Sequence, residues 1–380
     1  MADVGMPSIP VFDIRMEPED VEAVATSLRS GELTSGPRSA LFEEAFAERI
    51  GVAHAITVSS CTAALHLAYL AAGVGPGDEV IVPSFTFAAT AAAVRYCGAE
   101  PVFADIIGLA DPSIDPAQVA QLMSARTKAV AAVHFGGYAA PVDVLAELCR
   151  EHGVALIEDV AHAPQATLAG KSLGSFGLAS AFSFFSNKVL PLGEGGMLVT
   201  DDDRVAAETR SLRSHGMTPP DTSQGLQDGY DVETAGYNYR LDEARSALAL
   251  ARLRRLDEDI ATRRAITFRY RSLLRSVPGI EVPYTDDGVE RSSCYVMAIF
   301  VKEAGERDEL RRRLLEKHGI QTTVLYPAIH EFTAYHGRYR TGKLETTERA
   351  ARSAVMLPMF PHLTEEQQDL IVAAVEEELG

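Results

Sequence analysis

The sequence predicts an α/β protein with one larger and one smaller domain, and three observations lead to that prediction. Short apolar, β-branched runs alternate with helical runs between about residues 52 and 200. Such alternation is typical of a mainly parallel, open sheet with right-handed crossovers and helices on its faces. The chain has 380 residues, more than one compact core usually holds. After Thr200 the pattern changes to loop, long helix and isolated strands, which predicts a small α+β domain at the C-terminal end.

The elements of the larger domain follow from their local patterns. Runs that are apolar on both faces predict buried strands, and helical spacing with a cap or Pro before it and Gly after it predicts helices. The predicted strands are AITVSS, DEVIVP, PVFADI, KAVAAVHF and VALIED, and the predicted helices are CTAALHLAYLAA, ATAAAVRYCG, DPAQVAQLM and PVDVLAELCREHG. Ligands bind such sheets at the carboxyl ends of the strands, where Ser59, Asp105, His134 and Asp159 are found.

The second half of the chain predicts a different arrangement. A helix over DDDRVAAETRSLRSHG precedes a long polar loop over residues 217–236 and one long helical stretch from Leu241 to Val277. Further on, CYVMAIFV and IQTTVLYP are strand-like, and ERDELRRRLLEKHG and TEEQQDLIVAAVEEEL are helical. We therefore predict a large domain over residues 1–260 and a small one over residues 261–380, with residues 1–30 packing near the small domain.

Charge and cysteine content argue against several classes of protein. The net charge is -18 and no basic patch is found, so binding to nucleic acid or to an anionic membrane is not expected. The four cysteines are widely spaced, without the pairs typical of zinc sites or disulfide frameworks, and no metal site is predicted. Neither a signal peptide nor an apolar run of membrane-spanning length is found, so we expect a cytoplasmic protein.

Three local groups of residues could carry chemistry. SSCTAA places hydroxyls and small residues at a helix start, which suits an anion, although Ser60 or Thr62 could act only as a cap. IEDVAHAPQ places Asp159 at a strand end and His162 three residues later, although an acid there often only caps a helix. SFFSNKVLPLGEGG surrounds Lys188 with apolar and small residues; burial there would favour a neutral, nucleophilic amine, although the side chain could instead extend to solvent.

Together these groups match the needs of pyridoxal phosphate (PLP). Its phosphate requires helix-start amides and hydroxyls, its ring nitrogen a carboxylate, and its aldehyde a lysine. Phe87, which follows a predicted strand, could stack on the ring or simply belong to the core.

Several blocks of the sequence, in order, resemble the DegT/StrS family of sugar aminotransferases, which are PLP enzymes of fold type I. The similarity extends from LTSGP near Thr34 to LPMFPHLTEEQ near Leu357, and includes SSCTAALHLAYLAAGVGPGDEVIVPSFTFAATA, IEDVAHAPQA, FSFFSNKVLPLGEGGM, LRSHGM, GYNYRLDE and LYPAIH. It implies a three-layer α/β/α large domain with a mainly parallel mixed sheet, followed by a small α+β domain.

The resemblance also implies roles for individual residues. Lys188 would bond the cofactor covalently, Asp159 would contact its pyridinium nitrogen, and His162 would approach its phenolic oxygen. The other implied roles are phosphate binding (Thr62, Ala63, Ser183 and, from a neighbouring subunit, Asn238), ring stacking (Phe87) and substrate contact (Arg240, Tyr326, His330).

The activity implied is transfer of an amino group from glutamate or glutamine to a keto-sugar, such as a nucleotide-diphosphate-linked 3- or 4-keto-deoxysugar, by a homodimer with shared active sites. Relatives that dehydrate carry His at the position of Lys188, so the lysine favours transamination. Alternatives are a glutamine-dependent keto-cyclitol aminotransferase and a regulatory relative without turnover. A nicotinamide-dependent dehydrogenase is disfavoured because the glycine fingerprint is missing.

Overall fold

The computed structural model describes residues 9–217, 230–303 and 305–379. The strands are β1 (His54–Val58), β2 (Glu79–Pro83), β3 (Glu100–Ala104), β4 (Thr127–Val133), β5 (Ala155–Asp159), β6 (Thr167–Leu168), β7 (Lys171–Ser172), β8 (Ala179–Ser183), β9 (Gly196–Thr200), β10 (Ile280–Glu281), β11 (Met297–Val301) and β12 (Ala354–Leu357). The helices are α1 (Pro18–Ser30), α2 (Pro37–Ile50), α3 (Cys61–Ala71), α4 (Ala89–Tyr96), α5 (Pro116–Leu122), α6 (Val142–His152), α7 (Asp203–Arg213), α8 (Glu243–Leu253), α9 (Leu256–Leu274), α10 (Asp286–Arg291), α11 (Glu306–His318), α12 (Glu345–Ser353) and α13 (Glu365–Leu379). Most of the predicted loop over 217–236 lies outside the described residues.

The central sheet is mixed and mainly parallel, which confirms the predicted fold class. Its strand order is β1-β9-β8-β5-β4-β2-β3. Strand β9 runs antiparallel to both β1 and β8, and the other neighbours are parallel. Because β1 and β8 are both antiparallel to β9, they run in the same direction, and β5 is parallel to β8. Their carboxyl ends, which carry the three predicted groups of site residues, therefore meet at one edge of the sheet.

Helices cover both faces of this sheet, as a three-layer architecture requires. On β2 the buried residues Val80 and Val82 pack in one apolar cluster and Ile81 in the other, because successive side chains point to opposite faces. The first cluster includes residues of α3, α4 and α7, and the second includes residues of α2, α5, α6 and α8. The buried strands are thus apolar on both faces, which is the pattern that predicted them.

A second, antiparallel sheet lies toward the C-terminal end, with strand order β10-β11-β12. Its core includes buried residues of α9, α11 and α13. Ile9 belongs to this core and forms a parallel bridge with Ile320, whereas α1 packs against α8. The predicted boundary after residue 260 falls within α9 and stays a prediction.

Two predicted elements differ from the structure. The long helical stretch is two helices, with a turn between Leu253 and Leu256 that lets Arg252 and Arg255 pair with the buried Asp20 at 3.1 and 2.5 Å. The predicted strand IQTTVLYP is wrong, because within it only single bridges form, from Ile320 to Ile9 and from Thr323 to Met356. Among the described residues no helix is both long and apolar enough to cross a membrane.

The buried carboxylate of Glu158, on β5, binds the loop between β7 and β8 through hydrogen bonds. Its Oε1 accepts from the amides of Phe176 and Gly177 and from the Ser180 hydroxyl at 2.7–3.2 Å. Its Oε2 accepts from the Gly174 amide at 2.9 Å and lies 3.1 Å from His134 Nε2. Burial alone would raise the pKa of Glu158, but His134 and the backbone amides together lower it.

Replacing Glu158 by Gln is expected to lower the free energy of unfolding by about 2–4 kcal/mol. An NH₂ group in the position of Oε2 would face two other donors, the Gly174 amide and His134 Nε2. His134 cannot turn into an acceptor at Nε2 without cost, since its Nδ1 accepts from the Ala140 amide at 3.1 Å. Urea unfolding measures the difference. Glu147→Gln, which removes an exposed ion pair with Arg150 on α6, is the control and should change stability by less than about 1 kcal/mol. Equal stability of the two variants would contradict this account of Glu158.

Candidate active site

A cavity of about 330 Å³ opens at the carboxyl edge of the central sheet, and we call it the lysine cavity. It is built by the segments that follow β1, β2, β5 and β8, together with parts of the C-terminal half of the chain. Seven of the eleven predicted site residues line it: Thr62, Phe87, Asp159, His162, Ser183, Lys188 and Tyr326. The fold thus brings together residues that are far apart in the chain.

Lys188 is held in this cavity by the apolar residues on either side of it. Phe184 before it and Val189 after it are buried, and the lysine amide donates to the Phe185 carbonyl at 2.9 Å. Its Nζ lies 4.5 Å from the centroid of the Tyr295 ring, a cation–π distance. Burial lowers the pKa of Lys188 to about 8, although Cys61 and Asp159 act in the opposite direction. A substantial fraction of neutral amine is therefore present at mildly alkaline pH.

Asp159 ends β5 with its carboxylate almost fully buried. Thr90 Oγ1 donates to one oxygen at 2.8 Å, and the Ala161 amide donates to the other at 3.2 Å. Burial raises the pKa of Asp159, while these hydrogen bonds and the charge of Lys188 lower it in part. A cation placed against this carboxylate would stabilise its charged form.

His162 is buried between aromatic rings and uses both of its ring nitrogens. Its Nδ1 accepts from the Gly136 amide at 3.3 Å, so in the neutral ring Nε2 carries the proton and donates to the Tyr326 hydroxyl at 2.8 Å. The ring also stacks on Tyr295 with centroids 4.4 Å apart. Burial, with a further contribution from Lys188, holds the pKa of His162 well below its usual value. The histidine is thus a neutral group that orients Tyr326.

The start of α3 forms a cradle beside Lys188. Ser60 caps the helix by accepting from the Ala63 amide at 3.1 Å, so this amide is already engaged. Among the described residues the amides of Cys61 and Thr62 have no partner, as expected for the first turn of a helix. Gly196, which starts β9, allows the strand to approach this turn, because a Cβ there would lie 2.4 Å from the Ser60 carbonyl carbon.

The rest of the cavity is aromatic and partly open. Phe87 has 60% of its surface exposed and lies 5.9 Å from the Tyr326 ring. Ser183 ends β8, half-buried, and accepts weakly from the Phe185 amide at 3.4 Å. The hydroxyl hydrogen of Ser183 remains available to a ligand.

Four other predicted residues do not line the lysine cavity. Ala63 lies just behind it in the first turn of α3. Asn238 is exposed and bridges Ser214, and Arg240 follows two residues later. His330 lies 2.8 Å through Nδ1 from the Ser84 hydroxyl and 3.6 Å through Nε2 from Glu348.

Two residues that contact the site were not among the candidates named from the sequence. Thr90 lies on α4 and reaches Asp159 across 69 positions of the chain, and Tyr295 precedes β11 in the second half of the chain. Asn187 and Glu194 also line the cavity. Their position beside Lys188, in the loop between β8 and β9, was the only available indication.

This chain has the architecture of an aminotransferase. The solved structure of the aminotransferase TlmJ from Streptoalloteichus hindustanus superposes with a TM-score of 0.91 at 35% identity, covering 99% of both chains. More narrowly, the chain belongs to the DegT/DnrJ/EryC1/StrS aminotransferase family, whose model matches residues 15–376. The family predicted from the sequence is thereby confirmed.

Two further relatives show the range of this similarity. The GDP-perosamine synthase of Caulobacter vibrioides is 38% identical over 89% of this chain and 89% of its own. A putative sugar aminotransferase of Streptococcus pneumoniae, Spr1654, solved in its PLP form, superposes with a TM-score of 0.88 at 26% identity, covering 97% of this chain and 98% of its own. Sugar aminotransferases are thus among its relatives.

Proposed function

We propose that this protein is a PLP-dependent aminotransferase that transfers an amino group from glutamate or glutamine to a keto-sugar linked to a nucleoside diphosphate. One observation carries the proposal: Lys188, Asp159 and the open first turn of α3 line a single cavity. The PLP form of Spr1654 and the nucleotide-sugar name of the GDP-perosamine synthase support the choice of cofactor and acceptor.

The groups present fit PLP part by part. The free amides at the start of α3 and the Ser183 hydroxyl suit a phosphate, Asp159 suits a protonated ring nitrogen, and Lys188 suits the aldehyde. When bound, PLP supplies an electron sink for the bonds at the donor's α-carbon.

The chain's own residues would do the remaining work. Lys188 Nζ, as a neutral amine, would take the proton from the α-carbon of the donor and pass it on to the bound cofactor before the 2-oxo acid leaves. With the acceptor bound, the same amine would carry a proton the opposite way, to the carbon that receives the amino group. Asp159 would keep a proton on the ring nitrogen through its charge. His162 is neutral and would keep the Tyr326 hydroxyl oriented toward the cavity. The exposed ring of Phe87 would cover a planar ligand.

An assay on the purified protein tests the proposal. The protein is incubated with PLP, glutamate or glutamine, and a panel of nucleotide-linked keto-sugars and keto-cyclitols, and aminated products are detected by mass. We expect an amino-sugar to form with at least one nucleotide-linked acceptor. PLP binding without any aminated product would instead favour a regulatory relative, and a product formed only from keto-cyclitols would favour the alternative acceptor.

We also propose that the active protein is a dimer whose sites are shared through Asn238. In support of this, Asn238 is exposed and lies outside the lysine cavity of its own chain. Lys188→Ala and Asn238→Ala subunits should each be nearly inactive alone. After mixing, each mixed dimer would carry one intact site, so about a quarter of the wild-type activity should return. Failure to recover activity, although mixed dimers are detected by native mass spectrometry, would contradict shared sites.

A further inference from the structure

One side of the lysine cavity is built by two segments that are far apart in the chain. Thr86 and Phe87 follow β2, and Leu325 and Tyr326 lie between α11 and α12; all four line the cavity. The rings of Phe87 and Tyr326, which we call the ring pair, have centroids 5.9 Å apart and planes inclined at 48°. Because 60% of Phe87 is exposed, packing fixes this ring only weakly. The geometry of the ring pair therefore depends on what holds the two segments together.

Ser84 and His330 join these two segments through three hydrogen bonds. The Ile329 amide donates to the Ser84 carbonyl at 2.9 Å, and the His330 amide donates to the Ser84 hydroxyl at 3.2 Å. A third bond connects the same hydroxyl with Nδ1 of His330 over 2.8 Å. Ser84 lies three residues before Phe87, and His330 lies four residues after Tyr326. The contacts between Ser84 and His330 are thus close enough in the chain to position both members of the ring pair.

The hydrogens of this contact can be assigned by counting donors and acceptors. Ser84 is fully buried, and His330 Nδ1 is the only acceptor found for its hydroxyl among the described residues. The hydroxyl therefore donates to Nδ1 while it accepts from the His330 amide, and in the neutral ring the other nitrogen, Nε2, carries the proton. Nε2 lies 3.6 Å from Glu348, too far for a hydrogen bond, and this carboxylate also pairs with the exposed Arg352 at 3.3 Å. Nδ1 is thus the nitrogen that connects the two segments.

We propose that His330 is a positioning residue, which together with Ser84 holds the ring pair in place and so sets the affinity of the cavity for a planar cofactor. The inference rests on the proposed function, and it replaces the substrate contact that the family resemblance implies for His330. Two observations support it: His330 does not line the lysine cavity, and both of its ring nitrogens face groups of the protein. Aromatic stacking depends on the distance and angle between the rings, so a shift of Phe87 would weaken it.

Titration of the apoprotein with PLP, followed by absorbance, tests the role of each nitrogen. Asn carries its amide close to the position of Nδ1, whereas Gln carries it close to that of Nε2, so only His330→Asn keeps an acceptor for the Ser84 hydroxyl. His330→Asn should bind PLP within about 2-fold of wild type, and His330→Gln and Ser84→Ala should each raise the dissociation constant by about 3–10-fold, the loss of one stacking contact. Combined, Ser84→Ala and His330→Gln should weaken binding no more than the stronger single change, because both break the same contact.

Tyr270→Phe is the control for a general loss of stability. It removes one buried hydrogen bond, to the Pro358 carbonyl at 3.1 Å, in the core of the C-terminal sheet. Its midpoint of urea unfolding should fall as that of Ser84→Ala does, and its dissociation constant for PLP should stay at the wild-type value. An affinity of Tyr270→Phe for PLP as weak as that of Ser84→Ala would overturn the proposal, because the effect would then be one of stability alone.

Two further results would also overturn the proposal. Tighter PLP binding by His330→Gln than by His330→Asn would identify Nε2 as the nitrogen that matters. Wild-type PLP affinity in both His330 variants, with a raised KM for the keto-sugar, would restore the substrate contact. If Ser84→Ala does not fold, the two His330 variants still decide. These results refute only this inference when wild type binds PLP and forms an amino-sugar, whereas a wild type that binds no PLP refutes the proposed function as well.

Discussion

Replacing Lys188 by Ala is expected to lower the rate of amino transfer by about 10⁴-fold, the upper end of what loss of a positioned proton-transfer group causes. The effect should be large because the substitution would remove both the proposed nucleophile and the proposed base from a cavity in which no other lysine is found among the described residues. The rate is measured as amino-sugar formed per unit time. Lys171→Ala is the control, since Lys171 lies outside the cavity on β7 and donates to the Ser175 carbonyl. A Lys188→Ala protein with wild-type turnover would refute the assignment of the nucleophile.

The same residue predicts a pH dependence. Because burial lowers the pKa of Lys188 from 10.5 to about 8, the neutral amine becomes the major form above about pH 8 instead of above about pH 10.5. The rate at which PLP combines with apoprotein, followed by absorbance, should therefore rise with pH around a midpoint near 8. Borohydride reduction of the product should place the added mass on the peptide that contains residue 188. A midpoint near 10.5 would mean that the amine is as hydrated as a surface lysine.

The strands of the central sheet could be predicted because their local pattern is sufficient. A strand buried on both faces is apolar over most of its length, as residues 80–83 of β2 and 129–133 of β4 are. The predicted strand IQTTVLYP failed for the opposite reason: a strand also needs a partner along its length, and the edge of β12 offers this segment only one bridge, at Thr323. The break between α8 and α9 could not be predicted either, because the ion pairs of Arg252 and Arg255 that accompany it are made with Asp20, which lies far away in the chain.

The residues of the candidate site also fall into two groups: those that the sequence could indicate and those that only the fold brings to the site. Lys188 and Asp159 could be predicted from the sequence only in combination, because three groups of residues at predicted strand ends together match the parts of one cofactor. Thr90 and Tyr295 could not, since a threonine in a helix and a tyrosine before a strand are ordinary until the fold places them against Asp159 and Lys188.

Replacing Asp159 by Asn should leave the fold intact and lower the rate of amino transfer by about 10²–10³-fold, the range measured for removal of one buried electrostatic contact. The fold should tolerate the change because each hydrogen bond has a replacement. The amide oxygen can still accept from Ala161 N–H, and the new NH₂ can donate to the Thr90 hydroxyl, which can in turn donate to Thr86 Oγ1, 3.3 Å away. What is lost is the negative charge, and with it the preference for a protonated ring nitrogen.

A matched variant separates the charge of Asp159 from its position. Thr90→Val keeps the carboxylate and removes only one of its donors, so its rate should fall much less than that of Asp159→Asn. The two variants should also differ in absorbance after PLP is added, because only Asp159→Asn leaves the ring nitrogen without an anionic partner. If both variants lost activity equally, the carboxylate would act mainly by holding its loop in place. If Asp159→Asn kept the wild-type rate, the negative charge of Asp159 would be dispensable for the reaction.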